Sequence, residues 1–122
     1  MRKVFLGLGS NQGQRYQILE AAISDLSKMS ARPLRISPIY ETPALLPEGA
    51  PSAWAQPFLN LVVEFWCGKD AWWLLEKTQE IEQKYGRARS AKWSPRTLDI
   101  DILTFDGMRV SDEQITLPHP EI

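Results

Sequence analysis

The chain holds one cysteine and one histidine in 122 residues. A lone Cys67 closes no internal disulfide and builds no thiolate metal cluster, which fits a reducing cytoplasm. Neither sign of charge is in excess: 14 Lys and Arg stand against 15 Asp and Glu, a net charge of −1. A general affinity for nucleic acid or an anionic membrane is therefore not indicated, although a local basic patch stays open. No apolar run is long enough to span a bilayer. The N-terminus enters a strand-like Val4-Phe5-Leu6 with no signal-type segment before it. Repeats and low-complexity tracts are absent, and no G-K-S/T phosphate loop occurs. Gly7-Leu8-Gly9-Ser10-Asn11-Gln12-Gly13 misses G-x-G-x-x-G because position 12 is Gln. The rest, 43% hydrophobic and 24% charged, is ordinary for one globular domain with a modest core.

Periodicity orders the chain. Arg2–Leu8 reads as a strand, and Gly7–Gly13 as a strand-to-helix turn whose glycines supply positive φ and which presents Ser10 and Asn11. Ile18, Leu19, Ala22, Ile23, Leu26 and Met29 fall at helical spacing and predict an amphipathic helix over Tyr16–Lys28. Leu34–Tyr40 looks like a second strand. Glu41–Pro57 carries four prolines and reads as a long irregular loop, of the kind that often serves as a functional lid. Phe58–Trp66 is a third strand, interrupted by Asn60, whose amide is either a satisfied, edge-facing group or a reader of ligand. Asp70 is placed to cap a second helix, with Leu74, Leu75, Thr78, Ile81, Glu82 and Tyr85 at helical spacing and Gly86 at C′. Trp72 and Trp73 read as packing residues, and Gln79 and Glu82 share a face. Leu98–Phe105 is a fourth strand, and Asp106-Gly107 signals a hairpin to Met108–Val110. The order βαββαβ predicts an α+β, ferredoxin-like fold: an antiparallel sheet with both helices on one face, in a single domain 1–122. That fold hosts many functions and decides no chemistry.

Chemistry concentrates in Gly86–Asp101. Arg87, Arg89, Lys92 and Arg96 are followed at once by Asp99 and Asp101. Side chains two apart in a strand share a face, so the two carboxylates point together at the start of a strand that is otherwise apolar. Two such acids repel, and burying either without a partner is costly. A hard divalent cation removes both problems, and the cations upstream suit the polyphosphate that arrives with Mg²⁺. The plainer alternative is a solvated strand end beside a basic surface loop, and the pattern alone leaves both open.

The combined motifs settle a resemblance. Lys92-Trp93-Ser94-Pro95-Arg96-Thr97-Leu98-Asp99-Ile100-Asp101-Ile102-Leu103 resembles the signature of the 6-hydroxymethyl-7,8-dihydropterin pyrophosphokinase family. Gly9-Ser10-Asn11, Tyr40-Glu41-Thr42-Pro43, Phe58-Leu59-Asn60, Thr78-Gln79 with Ile81-Glu82, Gly86-Arg87-x-Arg89 and Leu117-Pro118-His119 support it in family order. The resemblance implies an ATP-dependent diphosphotransferase of folate biosynthesis, with ATP and 6-hydroxymethyl-7,8-dihydropterin as substrates and AMP as a product. It implies two Mg²⁺ ions held by Asp99 and Asp101. Arg87, Arg89 and Arg96 then act with the aspartates in catalysis. Gln79, Glu82, Lys92, Trp93, Ile102, Thr116 and His119 join the arginines around ATP. Thr42, Pro43, Phe58, Asn60, Trp93 and Asp99 hold the pterin, Thr42 and Pro43 through backbone contacts.

The chain departs from the family in several places. Ser94 stands where Gly or Ala is usual, the basic loop is one residue shorter than in some relatives, and Lys92 stands where arginine also occurs. The family also normally continues for some tens of residues past Leu117-Pro118-His119, so a C-terminally shortened domain is expected here. A monomer is the family expectation, while the missing segment leaves self-association open. Two other readings compete. One is a remnant that binds ATP or pterin without turnover. The other is a ferredoxin-like nucleic-acid module, against which stand the near-zero net charge and the lack of an aromatic RNP pattern.

Overall fold

A computed structural model describes residues 1–44, 46–86 and 97–121. The elements run β1 (Arg2–Ser10), α1 (Arg15–Met29), β2 (Arg35–Ile36), β3 (Tyr40–Thr42), β4 (Phe58–Cys67), α2 (Ala71–Lys84), β5 (Asp99–Phe105), β6 (Val110–Ser111) and β7 (Thr116–Leu117). The main sheet has the order β2-β4-β1-β5, with β3 also on β4. All its pairings are antiparallel. The two long strands β1 and β4 therefore form the centre, and each βαβ connection skips one strand: β1 to β2 passes over β4, and β4 to β5 passes over β1. This is the expected α+β, ferredoxin-like arrangement.

Strict alternation builds the core. Val4, Leu6 and Leu8 of β1 stand opposite Phe65, Val63 and Leu61 of β4, and all six are buried. They join Ile100, Ile102 and Phe105 of β5 in one cluster with the inner residues of both helices: Leu19, Ala22 and Leu26 from α1, and Ala71, Leu74 and Ile81 from α2. Each fully buried Leu or Phe contributes about 2 kcal/mol of transfer free energy, so this inward row is what fixes the register. Trp72 and Trp73 pack at the margin of the cluster, as expected. At the start of α2 the Asp70 side chain accepts from Trp73 N at 2.8 Å, and past its end Gly86 takes φ +85. Both ends of the helix were legible from residue type alone.

Several expectations need correction. The second strand is two pieces. Pairs in β2 with β4 sum to 99 (Arg35 with Glu64, Ile36 with Val63), whereas pairs in β3 sum to 100 (Tyr40 with Asn60, Glu41 with Leu59). One extra residue has been inserted at Ser37–Ile39. Pro38 has no N–H to donate, and the Ser37 hydroxyl takes the N–H of Val62 at 2.8 Å in place of a backbone carbonyl. The loop consequently starts after Thr42, not at Glu41, and contains a 3-10 turn at Ser52–Ala55. In Gly7–Gly13 only Gly13 has positive φ, at +74, while Gly7 and Gly9 lie inside β1. Ser10 and Asn11 are buried instead of presented, and Asn11 Nδ2 donates to Gln56 O at 3.1 Å, tying the long loop to the end of β1. The Asp106-Gly107 turn forms, with Met108 N donating to Phe105 O at 2.8 Å. The strand after it does not return along β5, however: β6 pairs with β7, Val110 opposite Leu117. Asp112 makes that hairpin, its Oδ1 accepting from Gln114 N and Ile115 N at 2.9 and 2.8 Å. Among the described residues no helix is long and apolar enough to cross a membrane.

Candidate active site

The sheet face opposite the apolar row carries the polar residues. Alternation puts Gly7 and Gly9 of β1 on it, with Phe58, Asn60 and Val62 of β4 and Asp99, Asp101 and Leu103 of β5. The registers align them into two rows across three strands. Gly9 stands between Asn60 and Asp99, and Gly7 between Val62 and Asp101. In each row the middle strand contributes no side chain. A Cβ on Gly9 would meet Asn60 Oδ1 at 3.2 Å and Phe58 Cδ1 at 3.3 Å, and one on Gly7 would meet Leu103 Cδ2 at 3.4 Å. The glycines are there for space, not for backbone freedom. They floor a cavity of about 430 Å³ whose walls include Tyr40, Phe58, Asn60, Asp99, Asp101 and His119.

Asn60 resolves the alternatives its position left open: it is both satisfied and aimed at the cavity. Its Nδ2 donates to Thr42 Oγ1 at 2.8 Å, so Oδ1 is turned towards Gly9. Thr42 thus reaches the site through its side chain, and β3 is the element that brings it there. Pro43 follows it at the surface. Arg15 closes the base of the loop, donating to Pro57 O at 2.7 Å and to Glu41 at 3.4 Å.

On the opposite wall, Asp99 and Asp101 are partly exposed and share the cavity face. His119 arrives from the far end of the chain. Its backbone N donates to Leu103 O at 2.8 Å, and Nε2 lies 3.7 Å from Asp101 Oδ1. Its Nδ1 accepts from Glu121 N at 3.1 Å, so the ring proton sits on Nε2, facing Asp101. No three of His, Cys, Asp and Glu converge to hold a metal among the described residues. That does not count against Mg²⁺, which keeps waters and takes one or two protein carboxylates plus substrate phosphate oxygens. The Asp99–Asp101 pair fits that donor set.

The remaining expected nucleotide contacts are scattered. Gln79 and Thr116 are exposed. The Ile102 side chain is buried in the core, and only its backbone lies along β5. Glu82, expected beside Gln79 on a nucleotide-facing surface, is instead buried at 4% exposure with its Oε2 2.8 Å from Ile100 N. Arg87, Arg89, Lys92, Trp93 and Arg96 lie outside the described residues. Sequence reasoning missed Gly7, Gly9 and Tyr40 as cavity residues. The signal was present for the glycines, which alternate with Leu6 and Leu8 and so must face away from the core.

Comparison with known proteins then decides the family. The sequence profile of 7,8-dihydro-6-hydroxymethylpterin-pyrophosphokinase (HPPK) matches residues 5–122. The chain belongs to the HPPK family. It is 40% identical over 119 residues to the 2-amino-4-hydroxy-6-hydroxymethyldihydropteridine pyrophosphokinase of Bacillus subtilis, covering 97% of this chain and 68% of that protein. It is 38% identical over 121 residues to the protein of the same name from Methylorubrum extorquens, covering 98% and 73%. A Folate synthesis bifunctional protein of Chlamydia trachomatis is 40% identical over 123 residues, covering 98% of this chain but 27% of that protein. This HPPK chain therefore spans about a quarter of the bifunctional relative and about two thirds to three quarters of the two stand-alone ones.

Proposed function

We propose that this HPPK chain transfers a diphosphoryl group from ATP to the hydroxymethyl oxygen of 6-hydroxymethyl-7,8-dihydropterin, releasing AMP, as a step of folate biosynthesis in the cytoplasm. The observation that carries this reading is the pair of rows Asn60–Gly9–Asp99 and Val62–Gly7–Asp101. A glycine floor beside Phe58 accepts a flat heterocycle. The Asn60 carbonyl at one margin is an acceptor for ring N–H groups. The carboxylate pair lies two inter-strand spacings away, about 10 Å, a distance suited to a bicyclic ring carrying a one-carbon arm.

Asp99 and Asp101 would hold Mg²⁺, two ions on the family pattern. When bound, the metal supplies positive charge to the phosphate oxygens and lowers the barrier to attack on phosphorus. The chain's own residues do the rest. His119 offers Nε2–H as a donor to a phosphate oxygen. Arg87, Arg89, Lys92 and Arg96 provide the cations that offset charge on the transferred group and on the leaving AMP. Thr42, Pro43, Asn60, Phe58 and Trp93 hold and cover the pterin, and Gln79 and Thr116, with the backbone at Ile102, contact the nucleotide. In balance, the hydroxymethyl oxygen bonds to the β-phosphorus, the bond from that phosphorus to the α–β bridging oxygen breaks, AMP leaves, and the hydroxyl proton passes to solvent or phosphate.

The test is AMP release from ATP and Mg²⁺ by the 122-residue chain, with and without the pterin alcohol. Pterin-dependent AMP supports the reading. A folded chain that yields none overturns catalysis by this chain, and retained ATP or pterin binding in that case identifies a binding-only protein.

A further inference from the structure

Glu82 is a buried acid on the apolar face of α2. A carboxylate at 4% exposure is costly unless it is well bonded, and burying it needs a structural reason. Its Oε2 lies 2.8 Å from the backbone N of Ile100. Ile100 is the residue between Asp99 and Asp101, and among the described residues β5 ends the path of the sheet. A helix carboxylate therefore takes the place that a neighbouring strand's carbonyl would fill. The bond is charge-assisted, hence short and directional.

The location gives the bond its consequence. In a strand the direction of side chains i−1 and i+1 is set by the backbone at i. Holding the Ile100 N–H turns Asp99 and Asp101 together to the cavity face, opposite Gly9 and Gly7. Glu82 also lies two residues before the end of α2 at Lys84, so the same bond fastens the last turn of the helix to the start of β5. Those two ends flank, in sequence, the segment that carries the arginines.

We propose that Glu82 is a positioning residue for the aspartate pair: it touches neither substrate, and it acts by fixing the backbone between Asp99 and Asp101. The inference rests on the proposed function only for what the pair binds. It implies that a neutral acceptor of the same shape should keep the bond to Ile100 N in weakened form, because an amide oxygen still accepts but lacks the carboxylate's charge.

Two variants test it, Glu82→Gln, which keeps an acceptor oxygen, and Glu82→Ala, which removes it. Amide hydrogen exchange in the ligand-free chain is the first readout. Ile100 should exchange about 10- to 100-fold faster in E82A, with protection at Leu6 and Val63 in the sheet centre unchanged, and E82Q should fall between E82A and the parent. Calorimetric titration with Mg²⁺ and a non-hydrolysable ATP analogue is the second. E82A should bind the Mg²⁺–nucleotide about 10-fold or more weakly, the scale of a lost supporting contact behind a metal ligand. Its pterin affinity should fall by a smaller factor, since Asp99 is only one of several expected pterin contacts, and E82Q should recover part of the loss. If E82A left Ile100 protected, or if E82Q lost as much as E82A, the positioning role would be overturned. Equal losses of nucleotide and pterin affinity in E82A would also overturn it, in favour of a general loss of structure. A parent chain that binds no Mg²⁺–nucleotide would refute the proposed function, and the exchange readout would still decide the backbone role of Glu82.

Discussion

Asn60 Nδ2 donates to Thr42 Oγ1 at 2.8 Å, a bond between the first strand after Pro38 and the strand that walls the cavity. It commits the amide's donor side to the protein and leaves its carbonyl facing the cavity floor at Gly9. Thr42→Val keeps the shape of the side chain and deletes the acceptor, so the amide can turn. One neutral hydrogen bond is worth about 1 kcal/mol, or roughly 5-fold. KM for the pterin should rise by about that factor in T42V with kcat nearly unchanged, and T42S should restore it. Steady-state kinetics on the three proteins checks this.

Gly9 has no positive φ, so alanine there meets no backbone penalty. What it meets is Asn60 Oδ1 at 3.2 Å and Phe58 Cδ1 at 3.3 Å. Gly9→Ala should fold normally, with Tm shifted by less than about 5 °C, yet lose about 10-fold in pterin affinity as a loss of roughly 1.4 kcal/mol of contact. Gly9→Val should lose more. Thermal unfolding and a pterin-binding titration separate the two effects, and a G9A protein that binds normally would show that the glycine floor is not where the ring lies.

Asp99→Asn and Asp101→Asn remove a charge each while keeping shape. Both should lower pterin-dependent AMP release on the order of 10²- to 10³-fold, the scale of a lost electrostatic contact to the transition state, and raise the Mg²⁺ concentration needed for half-maximal rate. Each variant should still melt as a cooperatively folded protein. Activity measured across Mg²⁺ concentrations, beside a melting curve, checks both halves.

A second acid joins the two helices. Asp25 of α1 accepts from Tyr85 Oη at 2.8 Å and from Lys84 Nζ at 3.1 Å. Burial pushes the Asp25 carboxyl up, but the bonds from Tyr85 and Lys84 together outweigh it and hold the group below its ordinary value. A depressed acid stabilises the fold fully above its unfolded value of about 3.9, and that contribution is lost as pH falls through the folded value. Lys84 is raised by its bond to Asp25, and Tyr85 by burial and then by the same bond. Their contributions are present at neutral pH and disappear as pH rises above about 10. Asp25→Asn should therefore lower Tm at pH 7, with the difference from the parent shrinking below about pH 3.5. Tyr85→Phe should cost about 1 kcal/mol. Melting curves from pH 2.5 to 7 give the test.

Much of the fold was readable because its signals are local. The Asp70 cap, the Gly86 stop and the leucine spacing of both helices act within a few residues. The errors fell where a long-range partner overrides a local pattern. Leu34–Tyr40 reads as one strand until the Ser37 hydroxyl accepts from Val62 N and the register shifts by one at Pro38. Glu82 reads as the polar member of a helix face until β5 supplies the Ile100 N–H.

By itself, the sequence determined the family, the order of elements and the pairing of Asp99 with Asp101, since residue type and period 2 act within a few neighbours. Only the tertiary structure decided that Gly7 and Gly9 clear a floor between that pair and Asn60, that Thr42 orients the amide, and that His119 closes the far wall. Those relations depend on strand register, and register is set by which apolar rows can be buried against each other, a property of the whole core that no short stretch contains.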